Sequence, residues 1–271
     1  MKIAIIVICV LAGLCLLYIL SIMGRRKHPG MAQLRGWYYA HRGLHDSTKP
    51  ENSLGAFRAA LENGYGIELD VHLLADGTLA VIHDSSLKRT TGAEGRIEDL
   101  TADRLTDYRL EGTDEPIPAF EQVLQMFNGK APMIVELKVV DGNYAALSTA
   151  VCDLLDKYPG MYCLESFDPF CVRWLMKHRP NMIRGQLNQH YGKTDAPFPW
   201  ILRFLMTHQA FNFLTRPDFV AYQFRDRRTL GNFLVRKLWG VQGVAWTLRT
   251  KEDFDTAVKE GWLPIFEKFI P

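Results

Sequence analysis

Apolar and polar positions alternate along most of this chain in two different periods. Short apolar runs, which predict buried strands, are followed by stretches with an apolar residue at every third or fourth position, which predict amphipathic helices. The stretch 53–63 is an example, since its apolar residues recur at helical spacing, Ser53 is a candidate N-cap and Gly64 is a stop signal. The body of the chain therefore alternates strands with helices.

The predicted strands are 37–40, 66–74, 79–82, 133–140, 162–167, 182–187, 219–224, 243–248 and 263–266. The predicted helices are 53–63, 118–127, 144–158, 170–178, 230–238 and 252–260. Asp76-Gly77 predicts a turn that joins the second and third strands into one unit, so about eight strand–helix steps remain. Such alternation implies parallel strands, and eight steps predict an α/β fold, the (β/α)8 TIM barrel. An open doubly wound sheet is the alternative, although no glycine-rich nucleotide motif follows the first strand.

The first 30 residues differ from the rest. Residues 3–23 carry no charge and are numerous enough to cross a bilayer core as a helix, and the basic residues 25–27 follow them. A signal peptide is the rival interpretation, although its apolar region is usually shorter, and a helix lying at the membrane interface is a third. We predict one transmembrane helix with its basic flank in 1–30 and a barrel domain in 31–271.

The flanking charges predict the orientation of this anchor. Lys2 precedes the span, whereas Arg25, Arg26 and Lys27 follow it, and the more positive flank tends to stay in the cytoplasm. We therefore expect a single-pass membrane protein with a cytoplasmic catalytic domain. The segment 28–36 is interpreted as a polar linker.

Composition excludes some partners. The formal net charge is only +2, with no concentrated basic face, so we expect no nucleic-acid partner. The five cysteines include no CxxC pair, and we expect reduced thiols rather than a disulfide framework. Composition leaves the oligomeric state open.

Carboxylates occur on two of the predicted strands at a spacing that places them on one face. Side chains two positions apart point to the same side of a strand, so Glu68, Asp70 and His72 share a face, as do Glu136 and Lys138. Carboxylates inside a barrel must be paired or bound to a metal, because an isolated buried charge is costly. Three carboxylates form an oxygen-rich site that suits Mg²⁺ or Ca²⁺ better than Zn²⁺.

Cations and histidines lie near the same strand ends. Arg42 and Lys138 offer a second interpretation, in which they neutralise the carboxylates as ion pairs without any metal. His41 and His83 each follow an apolar run, and lone histidines at strand ends are more often structural than catalytic. The residues alone leave both alternatives open.

Nine short motifs extend this pattern. They are AHRG (40–43), PENS (50–53), IELDV (67–71), DGTLAVIHD (76–84), RTTG (89–92), VELK (135–138), ESFDP (165–169), GQL (185–187) and AWTLRT (245–250). In this order and spacing they resemble the glycerophosphodiester phosphodiesterase family over residues 37–270. The resemblance implies a (β/α)8 barrel and a phosphoric diester hydrolase that uses one divalent metal ion, Mg²⁺ or Ca²⁺.

The resemblance also implies roles for individual residues. The metal-binding carboxylates of the family fall on Glu68, Asp70 and Glu136, and its two catalytic histidines fall on His41 and His83. Which histidine is the acid and which the base stays open.

Further family positions fall on residues that bind or support the substrate. Arg42 and Lys138 match the phosphate-binding positions, and Glu51, Asn52 and Trp246 match possible supporting positions. The usual WTVN of the family reads WTLR here, so the resemblance leaves the substrate contacts near Arg249 open.

The expected reaction is the metal-dependent hydrolysis of glycerophosphodiesters to sn-glycerol 3-phosphate and an alcohol. The alternative substrate is a membrane lysophospholipid, cleaved as by a lysophospholipase D, because the apolar stretch 197–214 could face a bilayer instead of forming an ordinary barrel helix. A non-catalytic binding barrel and a membrane scaffold are further classes, and the sequence shows no gap in the site that favours them.

Overall fold

The computed structural model describes residues 1–25, 27–195 and 197–271. Arg26, part of the predicted basic flank, lies outside the described residues. The strands are β1 (Tyr39–His41), β2 (Gly66–Leu73), β3 (Leu79–Val81), β4 (Met133–Leu137), β5 (Tyr162–Ser166), β6 (Arg184–Asn188), β7 (Phe219–Gln223), β8 (Gln242–Leu248) and β9 (Leu263–Phe266).

The sheet closes on itself. Strands β2 and β4 to β9 pair in parallel in chain order, and β1 pairs in parallel with both β2 and β9. Strand β3 pairs antiparallel with the end of β2 and stays outside the ring of eight. The structure thus confirms the predicted (β/α)8 barrel, including the joining of the second and third runs into one hairpin.

Helices follow most barrel strands. They are α1 (Lys2–Ser21), α2 (Met31–Leu34), α3 (Leu54–Glu62), α4 (Lys88–Thr91), α5 (Phe120–Phe127), α6 (Tyr144–Leu155), α7 (Pro169–His178), α8 (Trp200–Thr207), α9 (Asn212–Thr215), α10 (Leu230–Trp239) and α11 (Lys251–Lys259). Short 3-10 helices are Ile97–Asp99, Ala102–Asp107, Leu110–Gly112, Tyr191–Lys193 and Phe224–Asp226. The apolar stretch 197–214 contains α8 and most of α9.

Side-chain caps fix where the barrel helices begin. The Ser53 hydroxyl accepts a hydrogen bond from the amide of Ala56 at 3.1 Å, as expected of an N-cap. Asp168 caps α7 in the same way, and Pro169 occupies the first position, where its missing N–H costs nothing. These caps position the loops that precede α3 and α7, both of which border the catalytic face of the barrel.

The barrel interior is divided between an apolar and a polar half. Tyr39, Ile134, Cys163, Phe219 and Val244 belong to one buried cluster inside the barrel, towards the beginnings of the strands. The polar residues lie towards the carboxyl ends, which is the end where barrel enzymes carry their active sites. The packed apolar cluster therefore forms the floor on which the polar residues at the carboxyl ends of the strands lie.

The interpretation of 28–36 as a polar linker is wrong. The short helix α2 lies there, and Met31 and Leu34 are buried in the cluster at the lower end of the barrel. Two apolar residues are too few to give a periodic signal in the sequence. The side chains of Met31 and Leu34 cover the apolar beginnings of the strands and so exclude water from the lower end of the barrel.

Helix α1 differs from all the others in its exposure. It has 20 residues, none of them buried, and its composition makes it long and apolar enough to cross a membrane. A signal sequence near the N-terminus would have a similar length and apolar composition. The apolar span predicted at residues 3–23 is thus a helix as far as Ser21, whereas Ile22 is buried in the core of the barrel. The topology of the span stays a prediction.

Candidate active site

Strand register brings the predicted carboxylates to one level. Paired positions in the sheet are His41 with Glu68, Asp70 with Glu136, and Glu136 with Glu165. Because side chains on neighbouring strands at paired positions point the same way, these residues form a continuous polar band inside the barrel. The period-two pattern of the sequence had predicted this face for β2 and β4.

Three of these carboxylates form a compact cluster. One oxygen each from Glu68, Asp70 and Glu136 lies within 4.8 Å of the others, and all three side chains are buried. Burial and mutual repulsion raise the pKa of Glu68 well above its usual value and raise that of Glu136 to about 7. The three carboxylates outnumber the cationic side chains beside them, and a hard divalent cation with oxygen ligands would supply further positive charge. The residues therefore fit a metal ion of the Mg²⁺ or Ca²⁺ type.

Two cations border the cluster. Lys138 Nζ lies 2.9 Å from Asp70 Oδ1 and 2.7 Å from Glu136 Oε1, and the Arg42 Nε atom lies 3.4 Å from Asp70 Oδ2. Although burial opposes it, these charges and His83 lower the pKa of Asp70. The predicted ion pairs thus exist beside the carboxylate cluster, so the two interpretations are not mutually exclusive.

The predicted supporting residues Glu51 and Asn52 hold Arg42 and Asp70. Glu51 Oε1 accepts from Arg42 Nη1 at 2.9 Å and also from Arg89 Nη2 at 2.7 Å. Asn52 Nδ2 donates to Asp70 Oδ2 at 2.9 Å, and its own amide bonds to the Arg42 carbonyl. Arg42 and Asn52 both have positive φ, which turns the loop back over the strand end.

His41 is fixed by a carboxylate from the far end of the chain. Its Nδ1 lies 2.6 Å from Glu267 Oε2, and its Nε2 lies 3.8 Å from Glu68. Arg249 Nε donates to the other oxygen of Glu267 at 2.5 Å. Burial lowers the pKa of His41, although its bond to Glu267 acts in the opposite direction. A carboxylate on Nδ1 keeps a proton there and leaves Nε2 as the proton acceptor.

His83 is held in the same manner by its own neighbour. Its Nδ1 lies 2.5 Å from Asp84 Oδ1, while Arg89 Nε donates to Asp84 Oδ2 at 2.5 Å. Burial lowers the pKa of His83 as well. Beneath it, the buried His72 bonds through Nε2 to the His83 carbonyl and through Nδ1 to Glu98. His72 therefore supports the loop and does not join the carboxylate cluster.

The sequence analysis missed two buried groups of this site. Glu165 is almost fully buried, and within the described parts of the chain its Oε2 has no hydrogen-bond partner. Glu267 follows β9, where nothing in its short apolar surroundings indicated a functional carboxylate. For Glu165 a signal existed, because ESF lies at the end of a predicted strand, as VELK does.

A cavity of about 340 Å³ connects these groups. Its lining includes His41, Arg42, Glu68, His83, Glu136, Glu165, Phe167, Trp246 and Arg249. The predicted supporting residue Trp246 packs edge-on against Phe167, with ring centroids 5.7 Å apart. Its indole Nε1 is buried and has no acceptor among the described residues. Arg249 lines the cavity and is bonded to Glu267.

A comparison with protein families shows which family the chain belongs to. Residues 41–269 match the glycerophosphoryl diester phosphodiesterase family. The chain belongs to this family. The family resemblance predicted from the motifs is confirmed, and with it the class of phosphoric diester hydrolases.

Relatives and solved structures agree with this assignment. A glycerophosphodiester phosphodiesterase of Caldanaerobacter subterraneus is 29% identical over 82% of this chain and 89% of its own length. Glycerophosphodiester phosphodiesterase 1 of Bos taurus is 28% identical over 79% of this chain and 72% of its own length. In fold, the chain resembles an Oleispira antarctica phosphodiesterase solved with the product sn-glycerol-3-phosphate, with a TM-score of 0.73 at 20% identity, covering 88% of this chain and 94% of the other.

Proposed function

We propose that this protein hydrolyses glycerophosphodiesters to sn-glycerol 3-phosphate and an alcohol, in a reaction that depends on one divalent metal ion. The observation that carries the proposal is the pairing of two imidazoles, each fixed through Nδ1 by a carboxylate, with one buried carboxylate cluster on the wall of the same cavity. Family membership supports the same reaction.

Glu68, Asp70 and Glu136 are the proposed metal ligands. Bound there, Mg²⁺ or Ca²⁺ would supply positive charge to the phosphoryl oxygens and lower the pKa of a coordinated hydroxyl. Asn52, which bonds to Asp70, keeps that carboxylate in position. Glu51 does the same for Arg42.

Arg42 and Lys138 are proposed to bind the phosphate. The guanidinium of Arg42 can contact two phosphoryl oxygens at once, whereas Lys138 supplies a point charge. Both lie beside the carboxylate cluster, so they would hold the phosphorus next to it. Trp246 is proposed to support the ligand, since its buried indole N–H lacks an acceptor among the described residues.

His41 and His83 are proposed to transfer the protons. Burial keeps both rings neutral near pH 7, so one can accept a proton from the nucleophile through Nε2. The other ring takes up a proton from solvent at Nε2 before the reaction and donates it to the oxygen of the leaving alcohol. The nucleophile is either water or the adjacent glycerol hydroxyl of the substrate, and detection of a cyclic phosphate product would identify the second route.

Helix α1 is proposed to be a membrane anchor, with residues 31–271 as the catalytic domain. The absence of buried residues along its described length and its apolar composition support this assignment. The basic residues after the span favour a cytoplasmic catalytic domain.

A lysophospholipid is the second candidate substrate, and a specific cleft favours it. This cleft, of about 530 Å³, adjoins His83 and Glu136 and is lined on its outer side by Phe167, Tyr191, Phe198 and Met206. An acyl chain could lie against these apolar side chains while the phosphodiester reaches the histidines. The enzyme would then act as a lysophospholipase D.

The test uses the full chain in detergent micelles. Release of glycerol 3-phosphate from glycerophosphocholine is measured after EDTA treatment and again after addition of Mg²⁺ or Ca²⁺, and choline release from lysophosphatidylcholine is measured in parallel. Metal-restored cleavage of the soluble diester supports the main proposal. Cleavage of the lysolipid alone would favour the lysophospholipase D activity. The absence of turnover of either substrate with either metal would refute both proposed activities.

A further inference from the structure

The end of α1 is packed firmly onto one side of the barrel. Tyr18 Oη donates to the His208 carbonyl at 3.1 Å, just after α8, and Trp239 Nε1 at the end of α10 donates to the Ile19 carbonyl at 3.0 Å. The last turn of α1 therefore lies against the part of the barrel built by α8, α9 and α10.

The chain that follows α1 fixes this arrangement. Arg25 forms a bidentate ion pair with the buried Asp218 at 2.5 and 2.6 Å, and its amide donates to the Pro217 carbonyl at 2.9 Å. Both partners precede β7. Because α1 is tied to the barrel on both sides of its last residue, its position relative to α9 and α10 is defined and not left to a linker.

The length of α1 sets the level of the membrane surface. Its 20 residues span about 30 Å at about 1.5 Å per residue, which equals the thickness of a bilayer hydrocarbon core. Residues 18–21 thus lie at the boundary between lipid tails and headgroups when α1 crosses the bilayer. Tyr18 and Trp239 are the residue types enriched at that boundary.

Exposed apolar side chains flank this point. On α8 these are Trp200, Ile201 and Phe204, which share a helix face, and the Trp200 side chain is 77% exposed. On α10 they are Leu230 and Phe233, with Phe233 59% exposed. Gln209, two residues after α8, donates through Nε2 to Asn232 Oδ1 on α10 at 3.0 Å, so the end of α8 lies beside the beginning of α10.

The charge along and just before α10 is mainly positive. The stretch 225–239 contains five arginine or lysine residues and a single acid, and Arg225, Arg228 and Lys237 are exposed. An apolar surface with a basic rim is complementary to the interface of an anionic bilayer. Single exposed apolar residues need no explanation, but a contiguous set beside a membrane span does.

We propose that the exposed face of α8 and α10 lies in the headgroup region of an anionic bilayer, beside the end of α1. This inference rests on the proposed membrane span of α1. Since Phe198, just before α8, lines the cleft next to His83, the contact would bring that cleft close to the lipid surface.

The experiment measures the depth of nitroxide labels on the full chain in liposomes of phosphatidylcholine and phosphatidylglycerol. The exposed thiols are first removed as Cys9→Ala and Cys15→Ala. Single cysteines are then introduced as Phe204→Cys and Phe233→Cys. Gln125→Cys, on α5 at the opposite side of the barrel, is the matched control for an exposed helix position.

We expect collisions with oxygen to increase, and those with a water-soluble nickel chelate to decrease, at residues 204 and 233 relative to residue 125. The same labels should become more accessible to the nickel chelate in liposomes of phosphatidylcholine alone. Values at 204 and 233 equal to the value at 125 overturn the proposal, and equal depth in both lipids overturns its electrostatic part.

A fourth label distinguishes failure of this surface from failure of the anchor. Leu11→Cys, in the middle of α1, should be accessible to oxygen only. If residue 11 is in lipid while 204 and 233 are in water, the docking face is wrong and the anchor stands. If residue 11 is itself in water, the anchor and the face both fail. Hydrolysis of glycerophosphocholine by each labelled sample verifies folding and reports on the proposed reaction separately.

Discussion

Replacing Glu267 by glutamine tests the proposed role of His41 at a position outside the motifs. The carboxylate of Glu267 bonds to His41 Nδ1 at 2.6 Å, and this bond keeps the ring proton on Nδ1. Glutamine has nearly the same shape, but its amide nitrogen can donate to Nδ1. That bond would shift the ring proton to Nε2, and Nε2 could then no longer accept a proton from the substrate.

The size of the effect follows from the contacts of Glu267. Its pKa is held at about 2 instead of 4.5, because His41 and Arg249 bond to its two oxygens and outweigh the effect of burial. At about 1.4 kcal/mol per pH unit this is about 3 kcal/mol before solvent screening. The change of tautomer removes the proton acceptor at Nε2, so we expect kcat/KM to fall by roughly 10²- to 10⁴-fold.

The assay is steady-state hydrolysis of glycerophosphocholine by the full chain across a range of pH. Glu267 normally raises the pKa of His41, so its removal should move the limb of the pH profile that belongs to His41 to lower pH. Glu260→Gln is the control, since that glutamate pairs with Arg227 outside the cavity and is expected to keep normal kcat/KM. A Glu267→Gln enzyme with a normal rate and an unshifted profile would refute the reasoning.

Three other changes have defined outcomes. His83→Ala should lower turnover by roughly 10²- to 10⁴-fold with an unchanged circular dichroism spectrum, and normal turnover would exclude its role. Glu136→Gln should weaken Mg²⁺ or Ca²⁺ binding by more than roughly tenfold in calorimetry, whereas unchanged affinity would place the metal elsewhere. Glu98, bonded to His72 and Ser85 against the effect of burial, has a pKa lowered to about 2. The stabilisation that Glu98 contributes is present above pH 4.5 and is lost as the pH falls towards 2. Glu98→Gln should therefore reduce, by about 1–2 kcal/mol, the fall in the free energy of unfolding over that range, measured by urea denaturation.

The sequence was most informative where the alternation of residues along a strand determines which way their side chains point. In β2 and β4 the alternation of acid and apolar residues fixed which side chains face inward, and the structure brings Glu68, Asp70 and Glu136 together as that pattern predicted. The N-cap at Ser53 was also predictable, because a cap and its helix are adjacent in the chain. Local rules therefore recovered the strands, the carboxylate cluster and six helices of the barrel, which are α3, α5, α6, α7, α10 and α11.

The groups that the sequence did not reveal depend on distant contacts. Glu267 lies 226 residues from His41, and only closure of the barrel brings the two together. Met31 and Leu34 looked like parts of a linker because their partners lie on several different strands. The bond between Arg249 and Glu267 explains why the departure from WTVN could not be interpreted from the motif, since the residue contacts a side chain of the enzyme as well as the cavity.

Barrel closure between β1 and β9 has a consequence for folding. His41 ends the first strand and Glu267 follows the last, so the proposed acid/base group spans the seam where the ring is completed. A contact of such sequence separation forms late, because its loop entropy must be overcome first. Local opening of this seam would separate the two side chains while the other strand pairs stay intact. Catalytic activity would thus report on the closed ring, and in increasing denaturant it should disappear before the helical circular dichroism signal does.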